Sequence, residues 1–290
     1  MLLGFADYRD GAMRLAEQLK MPFAEIKEHR FPDGETRVTL PGVLPERVVI
    51  CRTLNDPNAK LVTLMLAAKT ARSLGAMHIS LVAPYLCYMR QDTAFHPGEA
   101  VSQLIVGEWL AQIFDEVVTV DPHLHRVHQL ADAVPASRVV TLSAATLMGE
   151  FLRNQNRPLI LLGPDEESAQ WVSVAAKAAG CRFGVCKKIR HADRDTSVVL
   201  PDIDLSDQRL VLIDDIASSG GTLMSAARAC LAEGAVQVDA LVVHALFDEA
   251  VTAQLSDAGI ANVWSTDSVV HPTNTIPLAR LIAGGLTNSR

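Results

Sequence analysis

The hydrophobic pattern along the chain alternates between short, fully apolar runs and longer amphipathic segments. Six runs rich in Val, Ile and Leu predict buried strands: 47–54, 78–86, 116–123, 159–163, 209–215 and 237–247. Five segments between them predict helices: 58–75, 100–114, 144–154, 166–179 and 221–234. Because strands that alternate with helices form parallel sheets covered on both faces, the pattern predicts an α/β protein.

Several predicted helices end on a glycine, and the two halves of the chain resemble each other. Gly75, Gly180 and Gly234 stand where a helix C-cap commonly places glycine. In each half, a helix ending in "LGA" or "EGA" leads within a few residues into a buried strand. We therefore predict two α/β domains, 1–143 and 144–290, each with a mainly parallel sheet.

Composition and charge narrow the possible partners. The chain has 290 residues, of which 49% are apolar, and a formal net charge of -7. It lacks the basic surface with which proteins displace counterions from nucleic acid, so we expect no nucleic-acid partner. No apolar run approaches the ~18 residues of a membrane span, and Asp7 comes too early for a signal peptide. We expect a soluble cytoplasmic protein without a membrane partner.

The five cysteines are odd in number and lie mostly within apolar runs. This pattern is typical of reduced core residues rather than of a disulfide framework. Cys181 and Cys186 resemble half of a metal site, but no second pair completes it. The cysteines therefore agree with a reducing compartment.

The stretch "LVLIDDIASSGGTL", residues 210–223, joins a predicted strand to a predicted helix. Small residues let backbone N–H groups approach an anion, hydroxyls add donors, and the helix N-terminus favours negative charge. Asp214 and Asp215 would repel a phosphate unless they contact sugar hydroxyls or a divalent cation, so the stretch predicts a sugar-phosphate site. Simple helix capping would account for one aspartate and one glycine, but not for the whole pattern.

The same stretch resembles the phosphoribosyl pyrophosphate loop shared by phosphoribosyltransferases and ribose-phosphate diphosphokinases. Further segments match the diphosphokinase family in order: "FPDGE" (31–35), "YMRQD" (88–92), "FHPGEAVS" (95–102), "VDPHLH" (120–125), "KKIR" (187–190) and "HPTNTIPL" (271–278). The resemblance covers nearly the whole chain. It implies two phosphoribosyltransferase-like domains and transfer of the diphosphoryl group of ATP to ribose 5-phosphate.

The resemblance also implies roles for individual residues. The ATP-binding residues would be Phe31, Asp33, Gly34, Glu35, Arg90 and Gln91. The ribose 5-phosphate-binding residues would be Asp214, Asp215, Ser218, Ser219, Gly220, Gly221 and Thr222. Magnesium would be held by His123 and Asp165, and we expect it to be the cofactor. The other two histidines of "HLHRVH", His125 and His128, are interpreted as surface or packing residues, because their spacing does not fit a zinc site.

The segment 186–198 is the most basic short stretch of an acidic chain. Its cations are Lys187, Lys188, Arg190 and Arg194, and the segment lacks apolar periodicity, which predicts a mobile loop. By resemblance, Lys188 and Arg190 are catalytic and contact the transferring phosphate. A run of cations on a solvated surface is the simpler interpretation.

Some positions depart from the family's common pattern. Ser219 stands where threonine is common, "EESAQWV" follows Asp165, and Thr93 replaces a basic residue after "RQD". These differences resemble an archaeal-type branch, and no allosteric regulation is inferred. Two alternatives remain open: a phosphoribosyltransferase that uses phosphoribosyl pyrophosphate, and a non-catalytic regulatory homologue. The resemblance also implies a homo-oligomer, a dimer or larger.

Overall fold

A computed structural model describes residues 1–124, 126–127, 129–191 and 195–287, with the backbone alone for 188–191 and 195–197. The chain divides into two compact units. Unit 1 comprises Met1–Leu142, Ser268–Val270 and the segment from Pro277 onward; unit 2 comprises Ser143–Asp267 and His271–Ile276. The division into domains 1–143 and 144–290 stays a prediction, since contacts alone assign the C-terminal segment to unit 1.

Unit 1 is built on a seven-stranded sheet. Its strands are β1 (Leu2–Phe5), β2 (Phe23–Arg30), β3 (Thr36–Thr39), β4 (Arg47–Cys51), β5 (His78–Ala83), β6 (Glu116–Val120) and β7 (Arg138–Leu142). Their order is β3-β2-β1-β4-β5-β6-β7, and every neighbouring pair is parallel except β2 and β3. The central strands are buried along almost their whole length because helices cover the sheet.

The helices of unit 1 come from both ends of the chain. They are α1 (Arg9–Leu19), α2 (Pro57–Ser73), α3 (Ser102–Ile113), the short α4 (Leu130–Ala133), and α9 (Ala279–Thr287). The last of them packs against α1, β6 and β7. Residues 6–8 add a turn of 3₁₀ helix. The core of this unit includes Phe5, Ile50, Leu64, Leu81 and Phe114.

Unit 2 is built on a parallel sheet of six strands and a separate hairpin. The sheet contains β8 (Ile160–Gly163), β9 (Arg182–Val185), β12 (Arg209–Ala217), β13 (Gln237–Ala245), β14 (Ile260–Thr266) and β15 (Asn274–Ile276). Their order is β15-β14-β13-β12-β8-β9. The hairpin pairs β10 (Lys187–His191) with β11 (Asp195–Val199). The helices are α5 (Ala145–Arg153), α6 (Ala169–Ala179), α7 (Gly221–Ala232) and α8 (Glu249–Asp257), with 3₁₀ helix at 166–168.

One local prediction is wrong, and one predicted strand is longer than expected. The segment 186–198 is largely an antiparallel hairpin rather than a loop, since Lys188 pairs with Val198 and Arg190 with Thr196. Pairing between strands stabilises this stretch despite its lack of apolar periodicity. The predicted strand 209–215 continues to Ala217, because Ile216 and Ala217 pair with β13. Asp214 and Asp215 therefore lie within the strand, near its carboxyl end.

The predicted glycine C-caps are confirmed. Gly75, Gly180 and Gly234 have φ of 96°, 73° and 87°, the left-handed conformation expected after a helix. None of the five cysteines, all of which the structure describes, forms a disulfide. Burial raises the pKa of the Cys87 thiol to about 12, which is typical of an inert core residue. Within the described residues, no helix is long and apolar enough to cross a bilayer.

Candidate functional site

The carboxyl end of the unit 2 sheet brings together carboxylates from two neighbouring strands. β8 and β12 pair in parallel, with Leu162 opposite Leu212, so the residues that follow β8 lie beside Asp214. Asp165 is two residues beyond the end of β8. Its side chain accepts hydrogen bonds from the backbone N–H groups of Glu167 (3.2 Å) and Ser168 (3.4 Å). These bonds fix a carboxylate at the edge of the sheet where ligands bind in open parallel sheets.

Asp214 lies in a buried, acidic environment at this edge. Burial first, then the carboxylates of Asp215 and Asp165, raise the pKa of Asp214 well above its ordinary value. One oxygen of its carboxyl accepts a hydrogen bond from the backbone N–H of Asp215 at 3.0 Å. Asp215 itself is buried. The edge therefore holds acidic groups that a donor-rich ligand or a cation would stabilise.

The turn between β12 and α7 exposes backbone donors. Gly220 has φ of 71°, and its carbonyl accepts the hydrogen bond of Met224 N–H at 2.9 Å. The N–H groups of residues 221–223 precede that first bond and so lack partners within the helix. No side chain in the described parts of the chain caps α7. Ser218 and Thr222 are half-buried and Ser219 is exposed, so the geometry suits an anion at the helix N-terminus.

In unit 1, the segment 31–35 forms the turn between β2 and β3. Phe31 N–H donates to the carbonyl of Glu35 (2.8 Å), and Gly34 N–H donates to the carbonyl of Phe31 (3.0 Å). Asp33 accepts a hydrogen bond from Glu35 N–H at 3.1 Å, and Gly34 has φ of 95°. All these side chains are exposed, including the Phe31 ring. The turn presents an aromatic face beside two carboxylates.

The other predicted residues of unit 1 follow two adjacent parallel strands. Arg90 and Gln91 lie in the loop after β5, and His123 lies in the loop after β6. Because β5 and β6 pair in parallel, both loops start from the same edge of the sheet. Arg90 is exposed, whereas Gln91 and His123 are half-buried. The sheet thus brings these two loops to one edge of unit 1.

An ion pair between a buried aspartate and an exposed arginine joins the two loops. The Asp92 side chain is 1% exposed and accepts hydrogen bonds from the backbone N–H of Arg126 (3.0 Å) and from its guanidinium (2.7 Å). Sequence reasoning missed Arg126, since it pairs with a residue 34 positions away.

Gln103 is a second residue that sequence reasoning missed. It is fully buried in the first turn of α3. Its side-chain amide donates to the carbonyl of Met89 (3.0 Å), and its backbone N–H donates to the carbonyl of Gln91 (3.2 Å). The two bonds hold the chain on either side of Arg90. The only signal in the sequence is a lone glutamine inside an otherwise apolar helix start.

The structure describes the remaining predicted residues only in part. Lys188 and Arg190 lie on β10, and only their backbone is described. His125, His128 and Arg194 lie outside the described residues. His123 and Asp165 belong to different units. Where side chains are described, no group of three His, Cys, Asp or Glu residues could hold a metal ion.

Two helix-flanked, mainly parallel sheets, one with a β12–α7 turn suited to a phosphate, define the class as phosphoribosyltransferase-like. Family models agree: residues 1–113 match the N-terminal domain of ribose phosphate pyrophosphokinase, and residues 132–273 match the phosphoribosyl transferase domain. A phosphoribosylpyrophosphate synthetase from Mycobacterium smegmatis has the same fold, with a TM-score of 0.81 at 20% identity over 98% of this chain and 96% of that one.

Curated relatives identify the family. A ribose-phosphate pyrophosphokinase from Methanopyrus kandleri is 32% identical over 95% of this chain and 94% of its own. Ribose-phosphate pyrophosphokinase 2 from Archaeoglobus fulgidus is 36% identical over 94% of both chains. The chain belongs to the ribose-phosphate pyrophosphokinase family, which is the diphosphokinase family predicted from its motifs. Both relatives are archaeal, in agreement with the predicted branch.

Proposed function

We propose that the protein transfers the β,γ-diphosphoryl group of ATP to the anomeric hydroxyl of ribose 5-phosphate. The products would be 5-phosphoribosyl 1-pyrophosphate and AMP. Family membership supports this reaction, and the observation that carries it is the β12–α7 turn. There β12, which carries Asp214 and Asp215 near its end, stops at Ala217, and α7 begins at Gly221 without a side-chain cap.

Ribose 5-phosphate would bind with its phosphate on the turn. The backbone N–H groups of 218–222 and the hydroxyls of Ser218, Ser219 and Thr222 would donate to phosphate oxygens. Gly221 leaves space for the anion to approach the backbone, and Gly220 permits the left-handed conformation that begins the helix. Asp214 and Asp215 would accept hydrogen bonds from the ribose hydroxyls, which directs a sugar phosphate rather than a bare anion to this turn.

ATP would bind to the predicted residues of unit 1. Phe31 would stack against the adenine, while Asp33 and Glu35 would accept hydrogen bonds from its amino group or from donors around it. Gly34 permits the tight turn that presents them. Arg90 would pair with a phosphate through a charge-assisted bond, and Gln91 would reach a phosphate or the ribose. The exposure of the 31–35 turn and of Arg90 supports binding at a surface.

Magnesium would be held by oxygen and nitrogen ligands that include His123 and Asp165. Asp165 fits such an ion because it lies among carboxylates that raise the pKa of Asp214, and a hard cation prefers oxygen ligands. The chemistry supplied by the bound ion would be neutralisation of phosphate charge.

The substrate would supply its own nucleophile, so the protein's contribution is position and charge. The anomeric oxygen would attack the β-phosphorus, the bond to the α-phosphate oxygen would break, and AMP would leave. Lys188 and Arg190 would stabilise the negative charge that develops in line during this transfer. The five cysteines form no disulfide, which supports a location in the reducing cytoplasm. Assembly as a homo-oligomer is proposed from the family resemblance.

Turnover of a lysine variant tests the proposed chemistry. We expect Lys188→Ala to lower kcat for AMP formation by about three to five powers of ten, with much smaller changes in both KM values. Lys187→Ala is the matched control, since it removes an exposed neighbouring cation. Near-normal turnover of Lys188→Ala would remove this lysine from the mechanism. A wild-type protein without activity would instead indicate the regulatory homologue.

A further inference from the structure

A cavity lies at the opposite end of the unit 2 sheet from Asp165 and Asp214. It has a volume of about 540 Å³ and is formed where α5 and α6 end and where β8 and β9 begin. Gln208, the residue before β12, also lines it. A strand rises about 3.3 Å per residue, so Asp214 lies about 20 Å from Gln208. The cavity is therefore distinct from the β12–α7 turn.

The lining of this cavity is strongly basic. Arg153, Arg157 and Arg182 all contribute to it, and no Asp or Glu does. In the part of the chain that the structure describes, none of these arginines forms an ion pair with a carboxylate. Arg153 lies in the last turn of α5, where the helix dipole favours a cation. Arg157 and Arg182 lie outside helices, so the dipole does not account for them.

The basic lining contrasts with the net charge of the chain and with the lining of another cavity. The chain has a net charge of -7, and another cavity of the same unit, of about 700 Å³, is lined by Asp202, Asp204 and Glu233 without any Lys or Arg. Cations that line one cavity without a carboxylate partner among the described residues make that cavity attractive to an anion.

The remaining lining indicates what kind of anion fits. Pro158 and Leu159 give an apolar wall beside the arginines, and the volume is within the range of small-molecule sites. Guanidinium groups bind phosphate through paired, charge-assisted hydrogen bonds. We infer that this cavity is a second ligand site that binds a phosphate-bearing anion, separate from the substrate site. The inference does not depend on the proposed function.

Cys181 provides a local reporter for the site. It lines the cavity and is partly exposed, whereas the other four cysteines are buried. Alkylation of Cys181 in the full-length protein, followed by mass spectrometry, therefore measures access to the cavity. We expect AMP to slow this alkylation in a saturable manner, and adenosine at equal concentration to have no effect. Cys181→Ser confirms which thiol reacts.

Arginine variants separate binding in the cavity from binding elsewhere. Arg157→Gln/Arg182→Gln should raise the AMP concentration for half-maximal protection at least about tenfold, while AMP formation from substrates stays near the wild-type rate. Arg228→Gln, which removes an exposed cation of α7, should leave protection unchanged. If AMP protected Cys181 by binding at the substrate site instead, the protection would persist in the double variant.

Inorganic phosphate distinguishes the sources of the anion. Protection by inorganic phosphate at the same concentrations as AMP would identify the phosphate group alone as the ligand. Protection by AMP at much lower concentrations would identify an organic phosphate that also uses the apolar wall. The inference is overturned if neither phosphate slows alkylation, or if the double arginine variant is protected as well as the wild type.

Discussion

At the scale of single residues, Asp214 stands out because the fold makes its charge unfavourable. Burial and the carboxylates of Asp215 and Asp165 raise its pKa above the ordinary value. The folded state therefore binds a proton more tightly than the unfolded state does. The free energy of unfolding falls as pH rises from the ordinary carboxyl range through the raised pKa, since the folded protein must then hold the charged form.

Asp214→Asn should consequently stabilise the ligand-free protein at neutral pH. Asparagine keeps the oxygen that accepts the Asp215 N–H bond and removes the charge. We expect the variant to show a higher urea midpoint than the wild type at neutral pH, with a difference that vanishes at acidic pH. Asp257→Asn, at an exposed carboxylate of α8, is the control. A variant less stable than the wild type at neutral pH would contradict the electrostatic account.

The same substitution should impair substrate binding. A carboxylate that accepts ribose hydroxyls contributes more than a neutral amide, so the KM for ribose 5-phosphate should rise about tenfold or more. The KM for ATP should change far less. Equal losses for the two substrates, measured by steady-state kinetics, would assign Asp214 to the metal or to the fold instead. A gain in stability together with a loss of binding is the pattern expected for a functional charge.

At the scale of elements, the start of α7 depends on the backbone of Gly220. A Cβ added there would lie 3.0 Å from Leu255 Cδ2 and 3.2 Å from Val251 Cγ1, at φ of 71°. Gly75 has φ of 96° but nothing within 4 Å of the corresponding position. The two glycines therefore differ in packing while sharing a left-handed backbone.

Gly220→Ala and Gly75→Ala should differ in stability and in activity. Each should lose about 1 kcal/mol of unfolding free energy from the backbone conformation alone. Gly220→Ala should lose more because the Leu255 and Val251 side chains of α8 must shift. Only Gly220→Ala should also raise the KM for ribose 5-phosphate. Denaturant titration and kinetics measure both effects. Identical behaviour of the two variants would show that the turn tolerates a side chain.

Helix α3 contributes a positioning residue through Gln103. Gln103→Leu keeps a similar side-chain size but leaves the Met89 carbonyl without its bond, at a cost of about 1 to 3 kcal/mol. Because that bond holds the chain beside Arg90, we expect the KM for ATP to rise with little change in the KM for ribose 5-phosphate. Gln112→Leu, at an exposed site of the same helix, is the control. A loss of stability without any change in the KM for ATP would limit Gln103 to a structural role.

At the scale of the whole molecule, the sequence predicted the parts of the fold that depend on local pattern. Apolar runs located the central strands, and the alternation with helices indicated parallel sheets with loops at one edge. The hairpin at 187–199 was missed because its stability comes from pairing rather than periodicity. The bond between Gln103 and Met89 and the Asp92–Arg126 pair join residues distant in sequence, which no local pattern reveals.

The transfer of two phosphoryl groups as a unit is the central claim, and the fate of the β-phosphorus of ATP tests it most directly. ATP labelled at the β-phosphorus is incubated with the wild-type protein, ribose 5-phosphate and magnesium, and the labelled products are separated. We predict that the label appears in phosphoribosyl pyrophosphate, and that unlabelled AMP forms in equal amount only when ribose 5-phosphate is present. Label recovered in ADP, or no consumption of ATP, would contradict the account.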